Sequence, residues 1–482
     1  MSDHELNKSP IDSFAWKIAQ SICSLGITFC IQLVLARMLM PEDFGLIAIV
    51  NVFMTLVNTV IDTSFSSAII QRKSLSQKML SSVFFVNILL SVTIYFVLFL
   101  AAPFISGFYS EPALVLILRV QGLIVVVSAV YSIQQALMNR KMRFKALFFC
   151  SFIGSIVQAT AGVLMAYNGM GVWALVVSTF LGSVVNGLAI LCAEFWKPDL
   201  YFSFKLVREA LSFSSKILVI RVVKKIYYNI RVLVIGRVYD TEILGYFNKG
   251  FQFPSTAMTV VDGSLTSVSF THLSKLENDQ EQFSNSMRQY IRSAMYICTP
   301  IMVGMALIAE PLVLFLLTPK WIDCVPYLQI ICISQLFVPL SIKTTALESL
   351  GRSDLSMKVN LIGICISIVL LFACTPFSAL VMTFGGVISN LIWQIFITAI
   401  AVKHLHYSVW DQCKDALSGL VPSVCMAGAV LLIDCLNFKH QYWLEIAVKT
   451  TVGVVSFVVV SFITKNEVFY SILGVVKIFR RK

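Results

Sequence analysis

The chain of 482 residues is 58% hydrophobic and only 13% charged, with a mean hydropathy of +0.84. These values exclude an ordinary soluble domain and point to a polytopic membrane protein. The net charge of +12 does not mark a nucleic-acid binder, because the basic residues are shared among short stretches between apolar blocks instead of gathering on one soluble face.

The opening stretch 1–12 is polar, without the basic start, short apolar core and cleavage site of a cleaved signal peptide. A helix needs roughly 20 apolar residues to cross the hydrocarbon. Blocks of that length predict about fourteen spans, at 14–36, 44–69, 80–106, 112–138, 145–166, 171–193, 209–236, 243–270, 289–317, 324–349, 355–375, 379–402, 415–436 and 443–464. None alternates with the dyad period of a barrel strand, which leaves helices as the spanning structure. The predicted fold class is all-α, a polytopic membrane protein of about fourteen transmembrane helices. With a cytoplasmic N-terminus the inside loops carry Arg72, Lys73 and Lys78, then Arg140, Lys141, Arg143 and Lys145, then Lys197, Lys205 and Arg208, then Arg352 and Lys358, and the tail Lys477 to Lys482. The outside loops hold little beyond Arg37, Arg237, Lys320 and Lys439, so the positive-inside rule places both termini in the cytoplasm.

Displacing the chain by 200 residues aligns Arg37 with Arg237, Glu42 with Glu242, Gly45 with Gly245 and Phe53 with Phe253, without a gap. The match continues through Thr59 with Thr259, Val60 with Val260, Asp62 with Asp262, Ser64 with Ser264 and Ser67 with Ser267. Chance predicts about two such identities in so short a window, so the chain reads as a duplication. Each copy holds an even number of spans, which predicts two six-helix bundles related by a pseudo-two-fold axis along the membrane normal, at 1–202 and 203–405, with two extra C-terminal helices and a basic tail at 406–482. In such architectures substrate binds near the midplane between the halves and is reached alternately from either side. Pro254, Pro300 and Pro339 fall within spans and mark either bending points or static kinks.

The seventh span departs from the pattern. It carries Arg221, Lys224, Lys225 and Arg231 where a bilayer demands apolar residues, and cations at that depth cost several kcal/mol each unless they face protein or water. At about 100° per residue Arg221, Lys224, Lys225 and Tyr228 share roughly a third of the helix circumference, with Arg231 beside them. The repeat sets Ser21, Ser24 and Thr28 of the first span at the positions of Arg221, Lys224 and Tyr228. That face is polar in both copies, which predicts that spans one and seven line a common hydrated cavity. Arg119 in span four adds a cation nearer the outer leaflet. A cavity rich in cations binds an anion, and guanidinium groups suit phosphate oxygens; the pyrophosphate of a lipid carrier is the candidate in a membrane. The competing reading is that these cations pair with Asp62, Asp262 or Glu310 and brace helices.

Asp62 and Asp262 occupy equivalent late positions in spans two and eight, where a carboxylate either couples transport to a proton or sodium gradient or braces a helix end beside Ser64 and Ser264. No metal or other cofactor site is expected: the twelve cysteines are scattered singly, and His404 and His406 lack a partnering cysteine or carboxylate cluster. The run from Arg140 to Arg143 and the basic tail are expected to meet anionic headgroups.

The segment LARMLMPEDFGLIAIV at 35–50 with Asp62 and Ile70-Gln71-Arg72, ALMNRKMRFKAL at 136–147 and GYFNKGFQFP at 245–254 resemble the Wzx-type polysaccharide repeat-unit flippases. These are similar in turn to multidrug antiporters and the lipid II flippase, members of one exporter superfamily. At position 64, where that family typically carries glycine, this chain has Ser64. The resemblance implies two six-helix bundles around a cation-lined cavity, plus two further helices. It also implies transfer of an undecaprenyl-pyrophosphate-linked oligosaccharide from the inner to the outer leaflet of a bacterial cytoplasmic membrane for O-antigen, capsule or exopolysaccharide assembly. The partners it implies are that lipid-linked substrate, membrane lipids, a polysaccharide polymerase and a chain-length regulator. Two alternatives remain. A multidrug or cation antiporter of the same architecture calls for net negative charge in the cavity. A membrane-embedded polymerase calls for a large outer loop with catalytic groups, and here the outer loops are short and show no D-x-D motif or Ser, His and Asp constellation.

Overall fold

The structure is a computed structural model and describes residues 10–71, 76–201, 204–276, 279–405, 407–433 and 441–471. Within those ranges the side chains of 10–22 other than Trp16, of 62–71, of 204–220 and of positions 260, 262, 264, 266 and 267 are not described. Among the described residues it is all-α, with no strand.

By the density of its contacts the chain forms two compact units, Met1–Gly245 and Tyr246–Lys482. The first contains α1 (Pro10–Met38), α2 (Pro41–Gln71), α3 (Gln77–Tyr109), α4 (Ala113–Arg140), α5 (Phe144–Tyr167), α6 (Trp173–Ala193), α7 (Phe204–Val238) and the first turn of α8 (Thr241–Leu273). The second contains the rest of α8, then α9 (Gln280–Leu307), α10 (Ala309–Leu316), α11 (Val325–Gln335), α12 (Ile342–Ser349), α13 (Ser353–Cys374), α14 (Ala379–Leu405), α15 (Val409–Ala416), α16 (Leu420–Ile433) and α17 (Tyr442–Ile463).

Eleven helical stretches among the described residues are long and apolar enough to cross a membrane. The three further expected spans lie on α1, α7 and α8, so each of the fourteen predicted blocks overlaps helix among the described residues. The protein is a multi-pass membrane protein. Helix ends follow local chemistry. Ser76 caps α3 by accepting from the Met79 N–H (3.3 Å), Asp279 caps α9 by accepting from Gln282 N–H (3.0 Å), and Pro41 opens α2, where its missing N–H is no loss.

Three predicted spans are not single helices. The block at 289–317 divides at Ile308 into the end of α9 and α10. The block at 324–349 is α11 and α12 joined by the 3-10 turn Val338–Ser341, which contains Pro339. Proline at 339 has no N–H for the ladder, and the break exposes polar backbone that only protein can satisfy at this depth. Gln394 of α14 reaches it, donating from Nε2 to the Phe337 carbonyl (3.3 Å), and Asn390 Nδ2 donates to Ser334 Oγ (2.8 Å). The block at 415–436 is preceded and overlapped by α15, a short amphipathic helix with Trp410 and Val409 exposed, as for a helix lying in the membrane interface.

The duplication has a direct structural trace within the first unit. The start of α2 crosses the start of α8 at Gly45 and Gly245, which the repeat aligns with each other. A Cβ on Gly45 would lie 1.8 Å from the carbonyl oxygen of Thr241, and one on Gly245 would lie 2.0 Å from that of Pro41. Pro41 and Thr241 are themselves equivalent in the repeat, so the contact is reciprocal, a local two-fold built on backbone against backbone. Neither obstacle is a flexible side chain. Gly45→Ala or Gly245→Ala is therefore expected to force the helices apart at a cost of about 1–3 kcal/mol, read as a lower thermal midpoint in detergent. Gly26→Ala, with nothing within 4 Å of its added methyl, is expected to leave the midpoint unchanged.

Candidate functional site

α7 is 35 residues long and Arg221 is its central residue. The C-terminal part of the helix is held within the first unit. Gly236 packs on Ile49 of α2, the Tyr109 hydroxyl of α3 donates to the Leu233 carbonyl (3.4 Å), and the Arg237 guanidinium lies 5.1 Å from the Phe108 ring centroid. Toward the middle the side chains come out of this packing. Arg231 is half-buried, whereas Arg221, Lys224, Lys225 and Tyr228 are exposed, Tyr228 to 73%.

The opposite side of the same turns carries Val223 and Ile226, also exposed. The middle of α7 thus has one apolar and one cationic face, at about 100° per residue. Lys224 and Lys225 form no ion pair among the described residues. These two ammonium groups are therefore accessible to a diffusing anion.

The remaining expected site residues sit as follows. Arg119 is on α4, half-buried, its guanidinium 3.9 Å from the Phe99 ring centroid of α3, and its buried Nε has no hydrogen-bond partner among the described residues. An aromatic face holds this charge in place. Ser24 is half-buried and Thr28 exposed on α1. The side chains of Ser21, Asp62 and Asp262 lie outside the described residues, on α1, α2 and α8.

The run at 140–143 has a structural use. Lys141 and Arg143 both bind the buried Glu194, Arg143 Nη1 at 2.7 Å, which ties the loop after α6 to the turn between α4 and α5. Trp196 Nε1 donates to Gln77 Oε1 (2.9 Å) and Gln77 Nε2 to the Lys197 carbonyl (2.7 Å), so the same strap covers the start of α3. Two of the cations expected at headgroups are thereby committed to protein.

Sequence reasoning passed over three further cations in the second unit. Lys249 of α8 is 1% exposed, with Nζ 3.0 Å from Gln252 Oε1 and 6.0 Å from the Trp321 ring centroid. Lys343, at the helix break, is 3% exposed and donates to Thr398 Oγ1 (3.2 Å) and Gln412 Oε1 (3.1 Å). Lys449 of α17 is 4% exposed and pairs with Glu445 at 2.6 Å. The available signal was a lone lysine in an apolar block. It was overshadowed by the cluster in α7.

The model of a family described as polysaccharide biosynthesis protein matches residues 34–326, more than half of the chain. The chain belongs to that family. Its relatives include the succinoglycan biosynthesis transport protein ExoT of Rhizobium meliloti, 21% identical over 98% of this chain and 96% of that protein. An uncharacterized membrane protein in the cps region of Klebsiella pneumoniae is 23% identical over 97% of this chain and 98% of its own. The lipopolysaccharide biosynthesis protein WzxC of Escherichia coli is 23% identical over 74% and 73%. Among solved structures the lipid II flippase MurJ in an inward closed conformation superposes with a TM-score of 0.74 at 17% identity, covering 93% of this chain and 99% of MurJ. An inward-facing multidrug resistance MATE transporter of the MOP superfamily gives 0.62 at 14% identity, covering 79% and 94%. The polysaccharide biosynthesis family member described here therefore shares its fold with MurJ and with that MATE transporter.

Proposed function

We propose that this protein is a flippase that carries an undecaprenyl-pyrophosphate-linked oligosaccharide repeat unit from the inner to the outer leaflet of a bacterial cytoplasmic membrane, for O-antigen, capsule or exopolysaccharide assembly. It works by alternating access, with halves at 1–202 and 203–405, additional helices at 406–482 and both termini in the cytoplasm. The observation that carries this reading is the exposed cationic face in the middle of α7. Arg221, Lys224 and Lys225 take the pyrophosphate, with Tyr228, Arg231 and Arg119 as further donors and Ser21, Ser24 and Thr28 lining the hydrated cleft. The glycan occupies water and the prenyl tail stays in lipid. No covalent step is needed.

Support comes from three sides. Relatives are named for transport and biosynthesis of succinoglycan and lipopolysaccharide, MurJ for flipping lipid II. A stripe rich in donors favours an anion over the cationic substrates of an antiporter. Coupling to a proton or sodium gradient, with Asp62 and Asp262 as carriers, completes the proposal, as do a polymerase and chain-length regulator as partners.

The test is a deletion strain. Lipid-linked repeat units are expected to accumulate on the inner leaflet, protected in spheroplasts from a glycan-oxidising reagent added outside. Repeat units already accessible from outside, yet unpolymerised, would overturn the assignment in favour of a polymerase. Transport indifferent to collapse of both gradients would remove Asp62 and Asp262 from the scheme.

A further inference from the structure

The cationic face of α7 carries a large aromatic side chain, Tyr228, that is 73% exposed. At about 100° per residue it lies within roughly 60° of each of Arg221, Lys224 and Lys225 around the helix. Along the axis it stands about 4.5–6 Å beyond the two lysines, at 1.5 Å per residue. Val223 and Ile226, the exposed apolar residues of the same turns, lie on the other side, so the ring does not belong to an apolar patch.

Packing does not ask for an aromatic at this position. A ring so exposed fills no core, and the other copy of the repeat has Thr28 there, which is exposed too. The half-buried Tyr227 sets its ring centroid 5.5 Å from that of Tyr228 with the planes tilted by 52°. Such a pair favours one orientation of the outer ring. What results is a steadied aromatic surface one helical turn from two ammonium groups.

The chemistry of a glycosyl diphosphate matches that spacing. Its first sugar is bonded directly to the outer phosphate, so the sugar ring follows the charge within a few ångströms. With the diphosphate on Lys224 and Lys225, the sugar falls level with Tyr228. A pyranose ring presents a face of C–H bonds, and the negative face of an aromatic ring attracts their weakly positive hydrogens. The phenol hydroxyl, at the ring edge, keeps its place as a donor toward the headgroup.

We propose that Tyr228 is a stacking platform for the sugar bonded to the pyrophosphate, so that α7 reads the first sugar of the repeat unit together with its charged headgroup. This role rests on the pyrophosphate reading of the stripe and adds specificity to it. It calls for a first sugar with at least one face bare of axial hydroxyl groups.

The test compares two probes on the full chain in mild detergent, with occupancy read by native mass spectrometry. One is the lipid-linked repeat unit extracted from the deletion strain, the other undecaprenyl pyrophosphate without a glycan. Wild type is expected to bind the repeat unit more tightly. Y228L, which keeps an apolar side chain but no ring, is expected to lose about fivefold for the repeat unit and nothing for the bare pyrophosphate. Y228F keeps the ring and is expected to keep the preference. R221A/K224A is expected to weaken both probes alike. Equal losses for both probes in Y228L, no loss for either, or a Y228F variant as impaired in preference as Y228L would each overturn the platform while leaving the pyrophosphate site standing. Undiminished binding of both probes by R221A/K224A would overturn the pyrophosphate site itself, and the platform with it.

Discussion

Replacing Arg221 and Lys224 together by alanine is expected to abolish export while leaving the amount of inserted protein unchanged. Both side chains are exposed, so their removal deletes no buried packing. Each charge-assisted hydrogen bond to a phosphate oxygen contributes about 1.5–3 kcal/mol. Losing two lowers affinity for the headgroup by roughly 10²–10⁴-fold. Lys224→Arg keeps the charge and offers a fork that matches phosphate oxygens, and is expected to retain most transport. Lys403→Ala, an exposed cation at the end of α14, is expected to have no effect. The readout is externally accessible repeat units per unit of membrane-inserted protein. If the double variant exports normally, the stripe is not the pyrophosphate site, and the competing role of bracing helices regains its place.

The spans are legible in the sequence because a bilayer imposes a length and an apolar composition on any helix that crosses it. That rule is blind to what happens inside a block. It does not see that 324–349 breaks at Pro339, since Val338, Leu340 and Ile342 keep the stretch apolar while the backbone turns. Nor does it separate α15 from α16, whose boundary is one of amphipathicity and not of mean hydropathy. The repeat was legible because Gly45 and Gly245 must both be glycine for the same backbone contact. The stripe on α7 was legible because four cations within eleven residues violate the composition rule together. Lys249, Lys343 and Lys449 violate it singly; Lys249 and Lys449 have partners one turn away on their own helices, Gln252 and Glu445, whereas Lys343 finds Thr398 and Gln412 on other helices. No local pattern announces the partners of Lys343. The same holds for Lys141 and Arg143, whose carboxylate partner is about fifty residues away in sequence.

Asp415 shows the consequence most sharply. The carboxylate is fully buried at the start of the second unit's C-terminal helices and accepts from Arg288 Nε at 2.9 Å, from Arg292 Nε, and from the Tyr407 hydroxyl at 2.7 Å. Arg288 also holds Asp411 at 2.7 Å, and Arg292 holds Glu467 at 3.0 Å, so one cluster joins α9, α15 and the segment after α17. Burial and the neighbouring Asp415 push the Tyr407 phenol well above its usual range, which keeps it a donor at any physiological pH. Asp415→Asn preserves shape and removes charge. It leaves two guanidinium groups facing a neutral amide that offers them one acceptor oxygen, and breaking a buried pair from one side costs about 3–5 kcal/mol. A large drop in the thermal midpoint, with loss of the folded fraction after detergent extraction, is the expected outcome. Tyr407→Phe removes one neutral donor and is expected to cost about 1 kcal/mol. The ratio between the two variants separates charge from packing. Near-equal effects would mean that the cluster is held by its apolar surroundings, and an unchanged midpoint in Asp415→Asn would mean that the arginines are satisfied by Asp411 and Glu467 alone.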